Sequence, residues 1–158
     1  MPNLQSRIKK AVVKAAGSSF WKKFVLTSSD IITTAADLTG VANGDLIIEQ
    51  VILATDATGL ATGTNFQLNI SGETYGEDKP IVETVANLGA NITRSLIHGS
   101  DDRTNDRFLS VTGTPFILEA GAKLQYSSTV ADCTGAGKVA ILIKFTRLSD
   151  NADIQSAV

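Results

Sequence analysis

The chain has one histidine, one cysteine and no acidic residue before Asp30. The single His98 excludes zinc sites that are built from several histidines. The single Cys133 cannot form a disulfide within the chain, and we expect a small turn or core residue there. No apolar run approaches the ~18 residues that a membrane-spanning helix needs. Lysine and arginine interrupt the N-terminal segment throughout, so we expect no secretory signal in it.

The charges are divided unevenly along the chain. Six of the fourteen basic residues precede Asp30, namely Arg7, Lys9, Lys10, Lys14, Lys22 and Lys23. The part from Asp30 onward holds eight basic and all sixteen acidic residues, so a segment of charge +6 is joined to a body of charge −8. Such asymmetry indicates an interaction arm on an independently folded module. We therefore divide the chain into a basic arm (1–19), a single domain (20–150) and a polar, poorly ordered tail (151–158).

The arm has the pattern of a basic amphipathic helix. Leu4, Ile8, Ala11 and Ala15 share one side of a helical projection, and basic residues share another. Its apolar stripe is thin, so such a helix would be ordered mainly by contact with something else. Four partners are open: the arm's own domain or solvent, another protein or a second copy, a nucleic acid, and a membrane surface. The acidic body and the lack of a recognised binding motif disfavour the last two.

The body reads as an all-β domain. Short β-prone runs alternate with turn residues, and in 138–146 Val139, Ile141, Ile143 and Phe145 alternate with less apolar residues. Seven strands are predicted at 20–27, 46–54, 66–70, 108–112, 116–119, 123–130 and 138–146. This pattern favours an antiparallel β-sandwich or jelly roll. Residues 56–63 and 132–137 have the look of long hairpin connections.

Two segments depart from simple alternation. Residues 46–54 are almost continuously apolar, which is typical of a central strand covered on both faces. Residues 81–98 carry apolar side chains at helical spacing, but Gly89 and two asparagines argue against a long helix. We expect one short helix or an irregular excursion there.

No arrangement of residues predicts a catalytic, metal or cofactor site. Ser100, Asp101 and Asp102 follow His98, but no nucleophile motif supports a catalytic triad. The acidic loop at 101–106 lacks the glycine and the final glutamate of a calcium-binding EF-hand loop. Residues 135–138 fail the phosphate-loop pattern, because Val139 stands where Ser or Thr is needed. The glycines of that stretch are better explained as turn residues with positive φ.

Residues 45–71 and 121–150 resemble the small β-sandwich virion proteins of tailed bacteriophages. The resemblance lies in hairpins rich in Thr, Ala and Gly between alternating strands, including Val-Ala-Asp-Cys-Thr-Gly-Ala-Gly at 130–137 and Phe-Thr-Arg-Leu-Ser-Asp at 145–150. It implies a head decoration, or cement, protein on the capsid exterior. Such a module is often trimeric and clamps neighbouring major capsid subunits. No functional residue is carried over from that family.

The physical pattern agrees with this expectation, since a basic arm on an acidic domain could anchor the domain to a shell. We expect the contacts with the capsid or with another subunit to come from Arg7, Lys9, Lys10, Lys14, Trp21, Lys22 and Lys23. The alternative is a carbohydrate-binding or receptor-binding jelly roll of a phage fibre or tail, which exposure of Tyr75 or Tyr126 on a concave surface would favour. An enzyme ranks third.

Overall fold

The computed structural model describes residues 14–60, 65–75, 78–84, 88–97, 106–108 and 116–158. Within these ranges the chain forms ten β-strands and a short 3-10 turn at Ser28–Asp30. The strands are β1 (Ser19–Thr27), β2 (Ala36–Asp37), β3 (Leu46–Thr55), β4 (Phe66–Ser71), β5 (Lys79–Thr84), β6 (Thr93–Ile97), β7 (Asp106–Phe108), β8 (Phe116–Leu118), β9 (Lys123–Ser128) and β10 (Lys138–Arg147). No helix in the described ranges is long and apolar enough to cross a membrane.

The strands form two antiparallel sheets. Sheet A has the order β1-β10-β3-β6, and β8 pairs with the first residues of β3. Sheet B has the order β2-β9-β4-β5-β7. Each strand lies in the opposite sheet from the strand before it, except that β5 follows β4 within sheet B. This is the winding of a jelly roll. The predicted all-β sandwich is confirmed.

The core lies between the sheets because each long strand places alternate residues there. On β10, Val139, Ile141, Ile143 and Phe145 are fully buried, and the residues between them are half-buried. The inward side chains of β4 belong to the same hydrophobic cluster. Burying one such side chain contributes about 1.5–3 kcal/mol. Burial of these alternating side chains is therefore the main source of the stability of the sandwich.

Both predicted hairpins are wrong. The segment after β3 leads to β4 in the other sheet, and the segment after β9 likewise leads from sheet B to sheet A. A pair of alternating strands predicts two half-buried strands but does not say whether they pair with each other. Here β10 pairs with β1 and β3, and β9 pairs with β2 and β4.

The helix or irregular excursion predicted for residues 81–98 is wrong for 81–84 and 93–97, which hold the end of β5 and all of β6, whereas residues 88–92 form a turn with irregular backbone. Ile81 and Val82 are adjacent and both fully buried, so β5 shows no alternation. The register with β4 shifts between Leu68 and Asn69, and such a bulge lets neighbouring side chains face the same way.

The poor order expected for residues 151–158 is also wrong. Ala152 and Ile154 are buried in the core. The backbone of this C-terminal segment bonds to the region around β2, where Gly40 N donates to Gln155 O at 2.9 Å. Two apolar residues within a polar stretch are therefore enough to fix the end of the chain to the sandwich.

Candidate interaction face

The outward side of sheet A is unusually apolar for a surface. Its side chains come from the positions that alternate with the buried ones. We name this surface the A face. Its main residues are Trp21, Lys23 and Val25 of β1, Ala140, Leu142 and Lys144 of β10, Ile47, Ile52 and Ala54 of β3, and Ile117 of β8.

Strand register brings these side chains into contact distance across the sheet. Two rows cross β1, β10 and β3: Val25–Ala140–Ala54 and Lys23–Leu142–Ile52. Directly opposed side chains on neighbouring strands lie about 4.5–5.5 Å apart at Cβ. Trp21 and Val25 are 47% and 50% exposed, and Ile117 is 44% exposed. The A face therefore presents an apolar surface that is interrupted by Lys23 and Lys144, and Leu142 lies near its middle.

Apart from Lys23, the polar groups of the A face described next bind one another. Glu49 and Gln50 lie at the bulge in β3 opposite Lys144. Glu49 accepts a hydrogen bond from Thr146 Oγ1 at 2.5 Å and pairs with Lys144 Nζ at 3.1 Å, and Gln50 donates to Ser95 Oγ at 2.7 Å. A partner could cover these groups without leaving them unpaired, and burying unpaired polar groups is what makes interfaces costly.

The outward side of sheet B, the B face, is polar instead. Its side chains include Gln67, Asn69, Ser71, Glu83, Lys123 and Gln125. Asp37 on β2 accepts hydrogen bonds from Lys123 Nζ at 2.8 Å and from Gln125 Nε2 at 2.7 Å. The bond from Lys123, followed by the one from Gln125, lowers the pKa of the Asp37 carboxyl. The two faces thus differ in kind: the B face suits water and the A face suits a partner.

The structure separates the basic residues that the sequence groups together. Trp21 and Lys23 lie on the A face, and Lys23 forms no ion pair with any described residue. Lys22 points to the other side of β1, where its Nζ lies 3.5 Å from Asp153 Oδ1. Lys14 binds the other oxygen of the same carboxylate. Arg7, Lys9 and Lys10 lie outside the described residues.

The C-terminal segment holds the base of the arm against the domain. Asn151 N donates to Lys14 O at 2.7 Å. Arg147 donates from Nε to Ala152 O at 2.8 Å and from Nη1 to Ser18 Oγ at 3.0 Å, and its guanidinium lies 4.0 Å from the centre of the Phe20 ring. The chain on both sides of Ser18 is therefore fixed, and β1 begins from an anchored start.

Asp153 is the charged centre of this anchor. Burial alone would raise its pKa, but the hydrogen bonds from Lys14 and Ile154 N and the charge of Lys22 together lower it. A carboxyl whose pKa falls on folding stabilises the folded state above its ordinary pKa, and this contribution is lost as the pH falls through the folded-state value. The anchor is therefore expected to weaken in acid, below about pH 4.

Replacing Asp153 with asparagine is expected to lower the free energy of unfolding by about 1–2 kcal/mol at pH 7, because charged hydrogen-bond partners are lost. The difference from wild type should shrink as the pH falls below about 4, because the wild-type carboxyl then becomes protonated as well. Urea denaturation at several pH values measures both effects. Asp150→Asn is the matched control, since asparagine keeps the oxygen that accepts from Ala16 N. A gap for Asp153→Asn that does not change with pH would contradict the ionic role.

A separate cleft of about 350 Å³ lies at one end of the sandwich and is lined in part by Asp45, Tyr75, Ile117 and Glu119. Glu119 accepts hydrogen bonds from Thr74 N at 2.7 Å and from Tyr75 N at 3.1 Å, which fixes the loop. The Tyr75 side chain is 94% exposed. Tyr126, the other aromatic considered for sugar binding, is buried in the core and cannot serve.

The sequence predictions missed most of the A face. Leu142, Ile52 and Ile117 were interpreted only as strand residues, because alternation does not reveal which face is covered. One signal was present: residues 46–54 have the composition of a strand covered on both sides. In the single chain β3 is central, yet its outward side chains, such as Ile52, are only half-buried.

Fold and face together define this chain as a jelly-roll module with one largely apolar and one polar outer face. The sequence matches no protein-family model and no curated protein sequence.

Among solved structures, it is similar to a chain in the acidic stable capsid structure of Helicobacter pylori bacteriophage KHP30, with 12% identity over 89% of this chain and 98% of that chain and a TM-score of 0.44. It is also similar to a chain of the Bacillus endospore appendages, with 15% identity over 82% and 88% and a TM-score of 0.33. A chain of the Israeli acute paralysis virus particle has 10% identity over 90% and 76% and a TM-score of 0.32. Identities and TM-scores this low assign neither a family nor a function.

Proposed function

We propose that this chain is a structural virion protein, and more narrowly a capsid decoration protein. It binds the outer surface of a phage head and stabilises contacts between neighbouring major capsid subunits. The observation that carries the proposal is the difference between the two faces of the sandwich. The apolar A face, whose polar groups other than Lys23 are paired with one another, docks on the shell, and the polar B face points to solvent.

The size of the A face fits many weak contacts better than one strong contact. Strands β1, β10 and β3 have nine or ten residues, and the shorter β6 and β8 lie together along the other side of β3. At a strand spacing of about 4.8 Å, these four rows give a surface of roughly 600 Å². A standard stable interface covers about 800 Å² on each partner. A single copy would therefore bind weakly, whereas copies arrayed on a lattice and linked to one another would gain from avidity.

The residues that the sequence predicts as contacts have two roles in this proposal. Trp21 and Lys23 contact the shell from the A face, and Arg7, Lys9 and Lys10 add charged contacts from the arm. Lys14 and Lys22 act inside the domain, where they hold Asp153. The contact set predicted from sequence is thus divided between docking and anchoring.

The test of this function is quantitative mass spectrometry of purified particles. Copies of this chain per major capsid subunit are expected to approach a fixed, near-stoichiometric ratio. A few copies per particle would indicate a fibre, tail or portal component instead. Absence from particles would overturn the virion assignment.

The second candidate function is carbohydrate or receptor binding by a phage fibre or tail module. The specific observation in its favour is the cleft beside Tyr75, because an exposed aromatic ring next to the carboxylates of Asp45 and Glu119 could stack on a sugar ring and accept bonds from its hydroxyls. It predicts saturable glycan binding that Tyr75→Ala reduces at least tenfold, measured by calorimetry or a glycan array. Phe20→Ala in the same assay would distinguish loss of the site from loss of stability.

A further inference from the structure

Strand β1 lies at the free edge of sheet A. It pairs with β10 on one side and with no described residue on the other. Arg147 N donates to Ser18 O, and Ser28 N donates to Gly137 O. The register between these two bonds is unbroken, so even-numbered residues of β1 bond to β10 and odd-numbered residues direct their N–H and C=O groups away from it.

These outward groups form an open ladder. At its far end Thr27 N is already bound by Asp30 Oδ2 at 2.7 Å. The groups of Ser19, Trp21, Lys23 and Val25 have no hydrogen-bond partner among the described residues. Folded proteins usually protect such an edge by keeping it short, by proline, by a bulge or by charged side chains such as lysine. Of these devices β1 has only the last, in Lys23 and in Lys22, which lies 3.5 Å from Asp153. β1 has nine residues and neither proline nor bulge, whereas the edge strands of sheet B, β2 and β7, have two and three residues.

We infer that β1 of one copy pairs antiparallel with β1 of a second copy, around a two-fold axis that passes through Lys22. The open ladder runs from Ser19 to Val25, and Lys22 is its midpoint. Only this register uses all four open residues of both copies, because Ser19 then meets Val25 and Trp21 meets Lys23. Four N–H groups from each copy would give about eight hydrogen bonds. This pairing does not depend on capsid binding.

The side chains suit this register. On the A face each Trp21 lies opposite Lys23 of the second copy, where a cation–π contact forms. On the inner side each half-buried Phe20 lies opposite Phe24 of the second copy. The two Lys22 side chains meet at the axis, and each lies 3.5 Å from Asp153 of its own chain, a carboxylate that it shares with Lys14.

The pairing also enlarges the docking surface. A two-fold axis perpendicular to the sheet keeps both A faces on the same side of one continuous sheet. Their joint area of roughly 1200 Å² exceeds the area that a standard interface covers on one partner. The apolar side chains at the edge, Trp21 and Val25, then lie near the centre of the doubled face, where interface residues contribute most.

A cysteine scan tests the axis. Trp21→Cys, Lys22→Cys and Lys23→Cys proteins are oxidised mildly, and disulfide-linked dimer is measured on a non-reducing gel. Opposed residues that do not share hydrogen bonds have Cα atoms about 4.5 Å apart, within the range of a disulfide. Lys22→Cys is expected to give at least tenfold more dimer than the other two. Lys144→Cys, on the A face but away from the edge, is the matched control, and buried Cys133 is common to all four proteins.

Light scattering of the unmodified protein gives an independent measure. Twice the mass of one chain is expected at micromolar concentration, and Lys23→Pro should give the single-chain mass, because its N–H makes no bond to β10. An isologous pair closes with two copies. A trimer, a monomer at high concentration, or strongest cross-linking at position 21 or 23 would each overturn the inference.

Discussion

If the A face docks on a phage head as proposed, replacing Leu142 with lysine is expected to weaken that binding by about 100-fold or more. Leu142 lies between Lys23 and Ile52 in the middle of the A face. A lysine there would be covered by the shell without a counter-ion, and an uncompensated buried charge costs about 3–5 kcal/mol. The free domain should tolerate the change, because the position is partly exposed before docking.

Co-sedimentation with heads that lack this protein measures the binding. Gln67→Lys is the matched control, since it adds the same charge to the B face beside Glu83. It is expected to bind like wild type, and both variants should unfold within about 1 kcal/mol of it. Equal loss of binding by the two variants would show a general charge effect, and undiminished binding by Leu142→Lys would exclude the A face as the docking surface.

The fold could be predicted from sequence where burial follows a simple period of two. β1, β3, β4 and β10 were predicted to within one or two residues because each lies across the sandwich with one side inward. β5 and β6 were missed because the order of buried and exposed residues along them depends on the strands they pair with, β4 and β3. The bulge against β4 places Ile81 and Val82 on the same side, which hides the strand period.

The candidate site was predictable only in part, and the reason is physical. Trp21 and Lys23 are predicted as contacts because they fall in the basic N-terminal part of the chain, although the sequence alone favours a core or hinge position for the lone tryptophan. Leu142 and Ile52 could not be singled out, since an outward leucine on a half-buried strand looks the same whether water or a partner covers it. The pairing of Lys14 and Lys22 with Asp153 joins residues about 130 positions apart, and no local pattern encodes it.

The two glycines of residues 135–137 show the same contrast between a feature that the local sequence predicts and one that depends on a distant part of the chain. The sequence interpretation, a turn with positive φ, is confirmed for Gly135, whose φ is +114°. Gly137 is required for another reason. A Cβ placed on it would lie 1.6 Å from Gly59 O, because the loop after β3 passes directly against the start of β10. Long-range contact of this kind leaves no trace in the local sequence.

Replacing Gly137 with alanine is therefore expected to lower the free energy of unfolding by about 3 kcal/mol or more, at the upper end of overpacking effects. The opposing backbone cannot withdraw. Gly59 has φ +71°, and a Cβ on Gly59 would itself lie 2.3 Å from the carbonyl carbon of Gly89. Its N–H is bound to Asp56 Oδ1 at 2.9 Å. Urea denaturation measures the loss, which is a large share of the 5–15 kcal/mol that stabilises a typical domain.

The matched control is Gly40→Ala. Gly40 has no positive φ, and the nearest atom to an added Cβ is Gln155 O at 4.0 Å, so alanine there should change stability by less than about 1 kcal/mol. The comparison separates a steric effect at one contact from the general effect of losing a glycine. If Gly137→Ala is no more destabilising than Gly40→Ala, the loop after β3 does not pack against β10 as described. The winding that carries the chain between the sheets, and with it the placement of β10 at the centre of the A face, would then have to be revised.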